Sequence, residues 1–444
     1  LEPDPSGPVQ DVAASLEPGS SGPVQDETGH GAAALEEKPG IPGFEDGGDQ
    51  GEDLDPDGYM SSDLSRNPKL LKEVQERGQE LEKKLEQLSQ SGQFKYIEPD
   101  FIVTTFAKPS DSFFKSGEDW GKNNLRNPGI DINVKDIWPE ITGSTNVIVA
   151  VIDTGIRYTH QDLKKQMWVN VDEIPGNGVD DDKDGYIDNI YGMDAYNKDG
   201  NPMDDHSHGT HCAGTIGAAA NDGNPHVGVC WEVRLMACKF LSAGGSGYIS
   251  GAVTCVDFAV ANGAKVLSNS WGGGGFSQSL YDSIKHAQDK GVIFIAAAGN
   301  NGRNADSSPM YPAAYDLDNI VSVAAFDQNG RKASWSNYGV ESVDMGAPGV
   351  NIISTLARSD SSYGYYSGTS MACPHVAGVA ALLHANDPDS DWASVKNSMM
   401  GSVSPLDSMK GRTVSGGMVD AYAALSEAVE DGELEIKVTT STGE

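Results

Sequence analysis

The sequence has no apolar run long enough to cross a bilayer, and its longest candidates, VIVAVI and VIFIAAA, have the length of buried strands. Basic residues are also few: 31 lysines and arginines stand against 65 aspartates and glutamates, a formal net charge of −34. Nucleic acids and anionic membrane surfaces select basic proteins, so we expect neither as a partner. An acid excess is compatible with solubility and with calcium binding.

Cysteine is scarce as well, with five residues and no CxxC pair or other zinc-like spacing. An odd number leaves at least one thiol unpaired within the chain and neither demands nor forbids an oxidising compartment. Cys238 and Cys255 fall on a neighbouring predicted strand and helix, and the sequence leaves open whether they pair. The chain starts with Leu1 instead of Met, which predicts that the natural N-terminus, with any signal peptide, lies upstream.

Large apolar side chains are nearly absent from residues 1–59, where LEPDPSGPVQD recurs as LEPGSSGPVQD. A segment so rich in Pro, Gly, Ser and acid cannot bury enough apolar surface to fold, so we expect a disordered acidic leader. Residues 67–90 carry a leucine stripe that predicts a helix packed against a neighbouring domain, with a coiled coil as the alternative. Residues 94–106 have the pattern of one or two strands.

From residue 119 onward, short apolar runs alternate with segments of helical spacing. This alternation predicts an α/β fold of three layers, with a mostly parallel central sheet and helices on both faces. Function in such sheets lies at the carboxyl ends of strands, and Asp153 and Asn300 each follow an apolar run. The predicted strands are NVIVAVIDTG, VRLMACKFL, KVLSNSWGG, GVIFIAAAGNN, NIVSVAAFD and VNIIST, and the predicted helices are SGAVTCVDFAVANG and GTSMACPHVAGVAALLHAN.

Three motifs supply the parts of a serine nucleophile system. Asp153 ends a buried strand in VIDTGI, His208 lies in HGTHCAG, and Ser370 opens a helix in SGTSMACPH. A serine hydroxyl needs an adjacent base, a histidine can take its proton near neutral pH, and a buried carboxylate fixes the imidazole tautomer. Asn300 in AAAGNNG follows small residues, so its amide can point into a cleft and stabilise an oxyanion.

These motifs, in this order, resemble those of the subtilisin-like serine proteases over about residues 93–428. The insert from DDDKDGYIDNIYG to NPMDDHSHGTH looks most like that of enzymes from protozoan parasites. The resemblance implies a secreted or vesicular endopeptidase, expected to be a monomer, that acts on peptide or protein substrates. Asp153 would orient His208 as the general base, Ser370 would be the nucleophile, and Asn300 with the Ser370 N–H would hold the oxyanion. A calcium-stabilised scaffold on an inactive protease fold is the alternative, which the complete triad disfavours.

The stretch MDDHSHGTHCAG also raises the alternative of a metal site, because it holds three histidines. A zinc ion there would occupy the base that Ser370 needs. In the family pattern only His208 fits the base, so His211 is expected to be a structural neighbour and His206 a loop residue. Cys212 lies one helical turn after the base and is expected to fill core space.

Two glycine-rich stretches, residues 243–248 and 269–274, resemble the strands between which this family holds an extended substrate. PMYPAAY resembles the lining of the first specificity pocket, and Met310 is predicted to fill that pocket in part and to disfavour the bulkiest aromatic side chains. The predicted substrate-binding residues are Gly245, Ser246, Gly247, Ser270, Trp271, Gly272, Gly273 and Met310.

Calcium is expected as a structural cofactor, with one to three ions. In DDDKDGYID, residues Asp180, Asp182 and Asp184 take positions 1, 3 and 5 of an EF-hand-like loop, with the Tyr186 carbonyl at position 7 and Asp188 at position 9. No glutamate stands at position 12, so the loop is not a full EF-hand. The family resemblance implies a second site, with Asp162 and, in a loop one residue longer than usual, Asn221.

The resemblance also implies a pro-domain that assists folding and inhibits the enzyme through a tail in the cleft. Residues 60–108 are predicted to be a pro-domain remnant, 109–118 a linker, 119–430 the catalytic domain and 431–444 an acidic tail. Self-cleavage is expected within about residues 103–118. The remnant is shorter than the usual pro-domain, which fits either a truncated precursor or a divergent pro-domain.

Overall fold

The structure is a computed structural model that describes residues 108–427. The predictions for the acidic leader, the helix at 67–90, the strands at 94–106 and the acidic tail therefore lie outside the described residues. Within the described range, no helix has both the length and the apolar character needed to cross a membrane.

Eleven strands and seven α-helices make up the described part of the chain. The strands are β1 Gly143–Asp153, β2 Gly192–Asp194, β3 Glu232–Lys239, β4 Val266–Asn269, β5 Ile293–Ala297, β6 Ile320–Phe326, β7 Met345–Pro348, β8 Ile352–Leu356, β9 Ser362–Tyr366, β10 Ser404–Pro405 and β11 Gly417–Met418. The helices are α1 Ser112–Ser116, α2 His208–Gly217, α3 Ile249–Ala261, α4 Gln278–Asp289, α5 Thr369–Asn386, α6 Trp392–Gly401 and α7 Ala421–Glu427. A short 3-10 helix covers Val134–Asp136.

The main sheet has the strand order β10-β11-β7-β6-β5-β4-β1-β3-β2, and its pairings are parallel except for β10 with β11. The central strand β1 is buried on both faces, as its continuous apolar sequence predicts. Val149 and Val151 pack in a cluster with residues of α2 and α5, whereas Ala150 and Ile152 pack in a second cluster with residues of α3 and α4. Helices therefore cover both faces, which confirms the three-layer α/β prediction.

The VNIIST segment is a strand, but it lies outside the main sheet. It forms β8, which pairs antiparallel with β9 in a separate hairpin. Two hydroxyls of β8 bind the carbonyls of α2: Ser354 Oγ donates to His211 O, and Thr355 Oγ1 donates to Thr210 O, each at 2.8 Å. The hairpin therefore contacts α2 and leads along the chain directly into α5.

The segment predicted as a linker, residues 109–118, contains α1. The ring of Phe113 lies 5.5 Å from that of Tyr363, and the ring of Phe114 lies 5.4 Å from that of Trp138. These aromatic contacts hold the segment against the rest of the domain, so it differs from an open linker.

All five cysteines lie in the described range, and all are buried free thiols. Cys238 and Cys255, whose pairing the sequence left open, are thus unpaired in this structure. Burial raises the pKa of Cys373 to about 11 and raises that of Cys212 well above its ordinary value. A thiol held protonated in this way is a poor nucleophile, which agrees with the core-packing role expected of Cys212.

Candidate active site

The three motif residues lie at one edge of the sheet. Asp153 is the last residue of β1, His208 the first of α2, and Ser370 the second of α5. A Cβ atom at Gly209 would lie 2.2 Å from the carbonyl oxygen of Gly155, so only glycine lets α2 start this close to the end of β1. This close approach explains why the second residue of the H-G-T-H motif is a glycine.

His208 is bound to the carboxylate of Asp153. Its Nδ1 lies 2.8 Å from one oxygen and 2.9 Å from the other, and Asp153 is fully buried. Burial lowers the pKa of His208, but the charge and hydrogen bond of Asp153, together with the charge of Asp204, outweigh that effect and raise the pKa overall. The carboxylate thus fixes Nδ1 as the donor and stabilises the ring after it accepts a proton at Nε2.

Asp204, in the loop before α2, also belongs to this site. Its buried carboxylate accepts hydrogen bonds from the hydroxyl of Thr154, from the N–H groups of His206 and Ser207, and from both the N–H and the hydroxyl of Thr210. These bonds join the end of β1 to the first turn of α2. No spacing rule in the sequence marked this aspartate, because its partners are mostly backbone groups.

Ser370 makes a reciprocal pair with Ser270. The Ser370 hydroxyl donates to the Ser270 carbonyl, and the Ser270 hydroxyl donates to the Ser370 carbonyl, both at 2.9 Å. The nucleophile candidate therefore faces Ser270 in this structure and not His208. Catalysis would require the hydroxyl to turn toward His208, and hydrogen bonds of this kind are often loose before substrate binds.

Asn300 follows β5 and is held by Thr369. Its Oδ1 accepts hydrogen bonds from the N–H of Thr369 at 2.9 Å and from the hydroxyl of Thr369 at 3.0 Å. Because a backbone N–H can only donate, the bonded atom must be the amide oxygen, which leaves the NH₂ group available to the cleft. The sequence pattern identified Asn300 but not the threonine that orients it.

The cleft at this site has a volume of about 420 Å³ and is lined by His208, Asn300, Thr369 and Ser370, among others. Of the predicted substrate-binding residues, those that line it are Gly245, Ser270, Trp271, Gly272 and Met310. The other three, Ser246, Gly247 and Gly273, belong to the same two segments but are not among its lining residues.

The side chain of Met310 lies between two backbone walls of the cleft. A Cβ atom at Gly299 would lie 2.4 Å from its sulfur, and one at Gly272 would lie 3.4 Å from the same atom. The thioether thus occupies space that a smaller residue would leave open at this end of the cleft.

The three neighbouring histidines occupy different environments. His211 is buried, its Nε2 donates to the Ile352 carbonyl at 2.9 Å, and its ring stacks on Tyr366 with centroids 4.7 Å apart. Burial lowers the pKa of His211 to about 3, so the ring is a neutral structural group. His206 lies in the loop before α2, as expected, and it lines the cleft with His208.

A first group of calcium-type ligands lies in the predicted loop, with one member from outside it. Carboxylate oxygens of Glu173, Asp180 and Asp182 all lie within 4.8 Å of one another. Glu173 is buried and also accepts hydrogen bonds from the N–H groups of Asp181 and Asp188. Clustered carboxylates repel one another unless a cation or a proton is shared, so this group fits Ca²⁺.

The other predicted loop ligands are placed differently. Asp184 accepts hydrogen bonds from the N–H of Tyr186 at 2.8 Å and from the side chain of Asn189 at 2.7 Å, and burial followed by the charges of neighbouring aspartates raises its pKa. The carboxylate of Asp188 accepts the N–H groups of residues 176–178. The structure therefore does not bring Asp188 into the group with Asp180.

The second predicted site centres on Asp162, which is fully buried. Its Oδ2 accepts the hydroxyl of Tyr363 at 2.7 Å, while its Oδ1 has no hydrogen-bond partner in the described part of the chain. Burial raises the pKa of Asp162 to about 7, and the charges of Asp222 and Asp111 add to this effect. An orphaned buried carboxylate oxygen near two further acids fits a cation ligand.

Asn221 belongs to the same surroundings. Its N–H donates to both oxygens of Asp111, at 3.3 and 3.1 Å, and its Oδ1 accepts the N–H of Ser110 at 2.6 Å. Sequence reasoning missed Asp111, because it lies more than one hundred residues from its partner and in a segment expected to be a linker.

A carboxylate–imidazole pair beside a serine at a helix N-terminus, on the carboxyl edge of a parallel sheet, is the arrangement of serine hydrolases. Comparison with known families agrees: the profile of the Subtilase family matches residues 144–423, more than half of the chain. The chain belongs to the subtilase family.

Similar proteins support this membership. A thermophilic serine proteinase of Bacillus sp. (strain AK1) is 37% identical over 288 residues, which cover 65% of this chain and 62% of that protein. Subtilisin-like protease 1 of Plasmodium falciparum (isolate 3D7) is 32% identical over 324 residues, which cover 68% of this chain and 47% of that protein. The chain thus spans about half to three fifths of the length of these two relatives. The Plasmodium relative confirms the likeness to protozoan enzymes.

A solved structure of proteases from the bacterium Pseudoalteromonas arctica is also similar. It matches with a TM-score of 0.58 and 30% identity, over 72% of this chain and 100% of its own length. The predicted fold class is therefore confirmed by sequence and by structure.

Proposed function

We propose that this chain is a serine endopeptidase that hydrolyses peptide bonds through an acyl-enzyme intermediate on Ser370. The observation that carries the proposal is the contact of His208 Nδ1 with both oxygens of the buried Asp153, at 2.8 and 2.9 Å, in the same cleft as Ser370. Membership of the subtilase family, and the printed names of the serine protease relatives, point in the same direction.

In the proposed reaction, the Ser370 hydroxyl turns from Ser270 to Nε2 of His208. His208 takes the proton while the serine oxygen forms a bond to the substrate carbonyl carbon, and Asp153 stabilises the resulting imidazolium. The negative charge on the carbonyl oxygen is stabilised by the NH₂ of Asn300 and by the backbone N–H of Ser370.

The intermediate collapses when the C–N bond breaks, and His208 gives its proton to the departing amine. Water then enters, loses a proton to His208 and attacks the acyl carbon. The C–O bond to Ser370 breaks, and the serine oxygen recovers its proton from the imidazolium. Both Ser370 and His208 thus end in their starting protonation states, so the enzyme is regenerated.

Labelling with a fluorophosphonate tests the proposal. The wild-type chain should react at Ser370 and hydrolyse a peptide substrate, whereas Ser370→Ala should do neither. Ser361→Ala is the matched control, because Ser361 is exposed on the hairpin that precedes α5. Hydrolysis by Ser370→Ala at the wild-type rate would overturn the assignment, and a wild-type chain that is folded but unlabelled would favour a scaffold on an inactive fold.

We also propose that calcium stabilises the fold at two places. Glu173, Asp180 and Asp182 would hold one ion, and Asp162 would hold another with the loop that contains Asn221. Bound calcium would neutralise the clustered carboxylates and stabilise the folded state by mass action. The crowded oxygens of the first group and the orphaned Oδ1 of Asp162 support this assignment.

We infer further that the chain is made as a zymogen for secretion or for secretory vesicles, with residues 60–108 as the inhibitory pro-segment. The bond from Ser110 to Asn221 attaches residue 110 to the folded domain, which supports a cleavage point upstream of that residue. Mass-spectrometric mapping of the N-terminus tests this. A new N-terminus within about residues 103–118 should form in the wild-type chain and not in Ser370→Ala.

A further inference from the structure

His206 lies in the wall of the cleft, two residues before the proposed base. Its ring centroid is 6.2 Å from that of His208, and both side chains line the cleft. A Cβ atom at Gly245 would lie 3.2 Å from Nε2 of His206. The imidazole and the Gly245 segment therefore border the same part of the substrate path, and the glycine leaves that space open.

The His206 ring is available to a ligand. The side chain is exposed, and within residues 108–427 the one hydrogen bond of the residue runs from its backbone N–H to Asp204 at 2.8 Å. Among the described residues, neither ring nitrogen of His206 has a hydrogen-bond partner. A ring N–H in this position can donate to an acceptor on the substrate, and a protonated ring adds a positive charge.

The electrostatic surroundings favour an acidic acceptor. The residues that line the cleft include no carboxylate, lysine or arginine within the described range, and their titratable side chains are the two histidines. Nearby acids are already satisfied: Asp205 forms an ion pair with the buried Lys239 at 2.8 Å, and Asp204 accepts hydrogen bonds from the start of α2. In a chain with a net charge of −34, the lining of this cleft thus carries no acidic side chain among the described residues, and the charged Asp153 and Asp204 are buried outside that lining.

We propose that His206 is a specificity-determining residue that favours a glutamate or aspartate side chain of the substrate where the peptide passes between His206 and Gly245. The inference rests on the proposed endopeptidase function and names a substrate class for it. A solvent-accessible imidazole–carboxylate pair is weak, so the expected preference for an acid over its neutral amide is about two- to fivefold in kcat/KM.

The test uses the full chain and peptides that carry Glu, Gln or Lys in turn at each of the four residues before the cleaved bond. Wild type should prefer Glu to Gln at one of these positions. His206→Gln should bring that ratio to about one, and His206→Glu should reverse the order so that Lys is preferred there. A ratio compares two peptides on the same enzyme, so a general loss of rate does not affect it.

His286→Gln is the control, because His286 is exposed on α4 and does not line the cleft. It should keep the wild-type ratio. The inference is overturned if no position prefers Glu, if His206→Gln keeps the preference, or if it slows all peptides equally, which would show an effect on His208 instead. Failure of the proposed function looks different, since no peptide would be cleaved and Ser370 would not react with a fluorophosphonate.

Discussion

Thr369 donates two hydrogen bonds to a single side-chain oxygen of Asn300, one from its N–H at 2.9 Å and one from its hydroxyl at 3.0 Å. The next residue along the chain is Ser370. The same helix start therefore positions the proposed nucleophile and orients the amide that would stabilise the oxyanion. A displacement of the first turn of α5 would therefore move the nucleophile and misorient the Asn300 amide together.

Asn300→Ala is expected to lower kcat by about 10²–10³-fold with little change in KM, because the amide acts on charge that develops only in the transition state. Thr369→Val should cause a smaller loss, about two- to tenfold, since the backbone N–H of the residue remains. Steady-state kinetics on one peptide measures both. Asn146→Ala, at an exposed position of β1, is the control. If Asn300→Ala instead raised KM by the same factor and left kcat unchanged, Asn300 would act on substrate binding in the ground state.

The rate should rise with pH through an apparent pKa above the ordinary imidazole value of about 6.5. The base works only when neutral, and the net effect of Asp153 and Asp204 is to raise the pKa of His208 despite its burial, so the proton is held to higher pH. Asp204→Asn removes one of these charges and should move the acid limb of kcat/KM to lower pH. Partial unfolding would lower the whole profile without moving the limb, and an unmoved limb would argue against the role of Asp204.

Chelation should lower the melting temperature. A ligand at about one hundred times its Kd adds about 2.7 kcal/mol, which corresponds to about 4 °C for a domain of about 320 residues. Asp162→Asn and Asp182→Asn should each reduce the calcium-dependent part of this shift. Asp389→Asn, at an exposed position after α5, should not. An unchanged melting curve in excess chelator would contradict both proposed sites.

The size of the calcium effect should depend on pH. Burial raises the pKa of Asp162 to about 7, so between about pH 4 and that pH the folded, calcium-free protein holds a proton that the unfolded chain has released. This group therefore favours the calcium-free folded state at about pH 5 and loses that contribution as the pH rises through 7. Calcium must displace the proton, so the gain in melting temperature should be larger at about pH 8 than at about pH 5. Asp162→Asn should remove much of this dependence.

Met310→Ala should widen the range of residues accepted before the cleaved bond. The thioether lies between Gly272 and Gly299, and its removal leaves room for an aromatic ring. Cleavage after Phe or Trp, relative to cleavage after Leu, should rise about tenfold or more. A peptide library measures this ratio directly. Strong cleavage after Trp by the wild-type chain would show that Met310 does not limit the pocket.

The order of strands and helices and the position of the triad candidates were predictable from local sequence. Apolar runs mark the buried strands, and polar residues that follow such runs, such as Asp153 and Asn300, must gather at one edge of a parallel sheet. The partner of β8 was not predictable in this way. Its composition matches that of the main-sheet strands, and only the antiparallel return through β9 separates it from them.

The ligand groups were predictable only in part. The spacing of Asp180 and Asp182 follows a known loop pattern, but Glu173 and Asp111 reach their groups from other segments and leave no spacing signal. Asp188 fits the pattern by position, yet its carboxylate binds the N–H groups of a neighbouring turn. Side chains that bind backbone groups are hard to foresee, because every residue other than proline offers the same donor.

The β8–β9 hairpin also determines where the chain can change length. Its first strand is tied to α2 through the hydroxyls of Ser354 and Thr355, and its second strand continues into α5 after Tyr366. An insertion or deletion within either strand would shift one reacting group along the surface relative to the other. The turn between the strands begins at Ala357, whose N–H donates to the hydroxyl of Ser207, beside the base, at 3.1 Å, so a change of loop length would leave that connection in place only beyond residue 357.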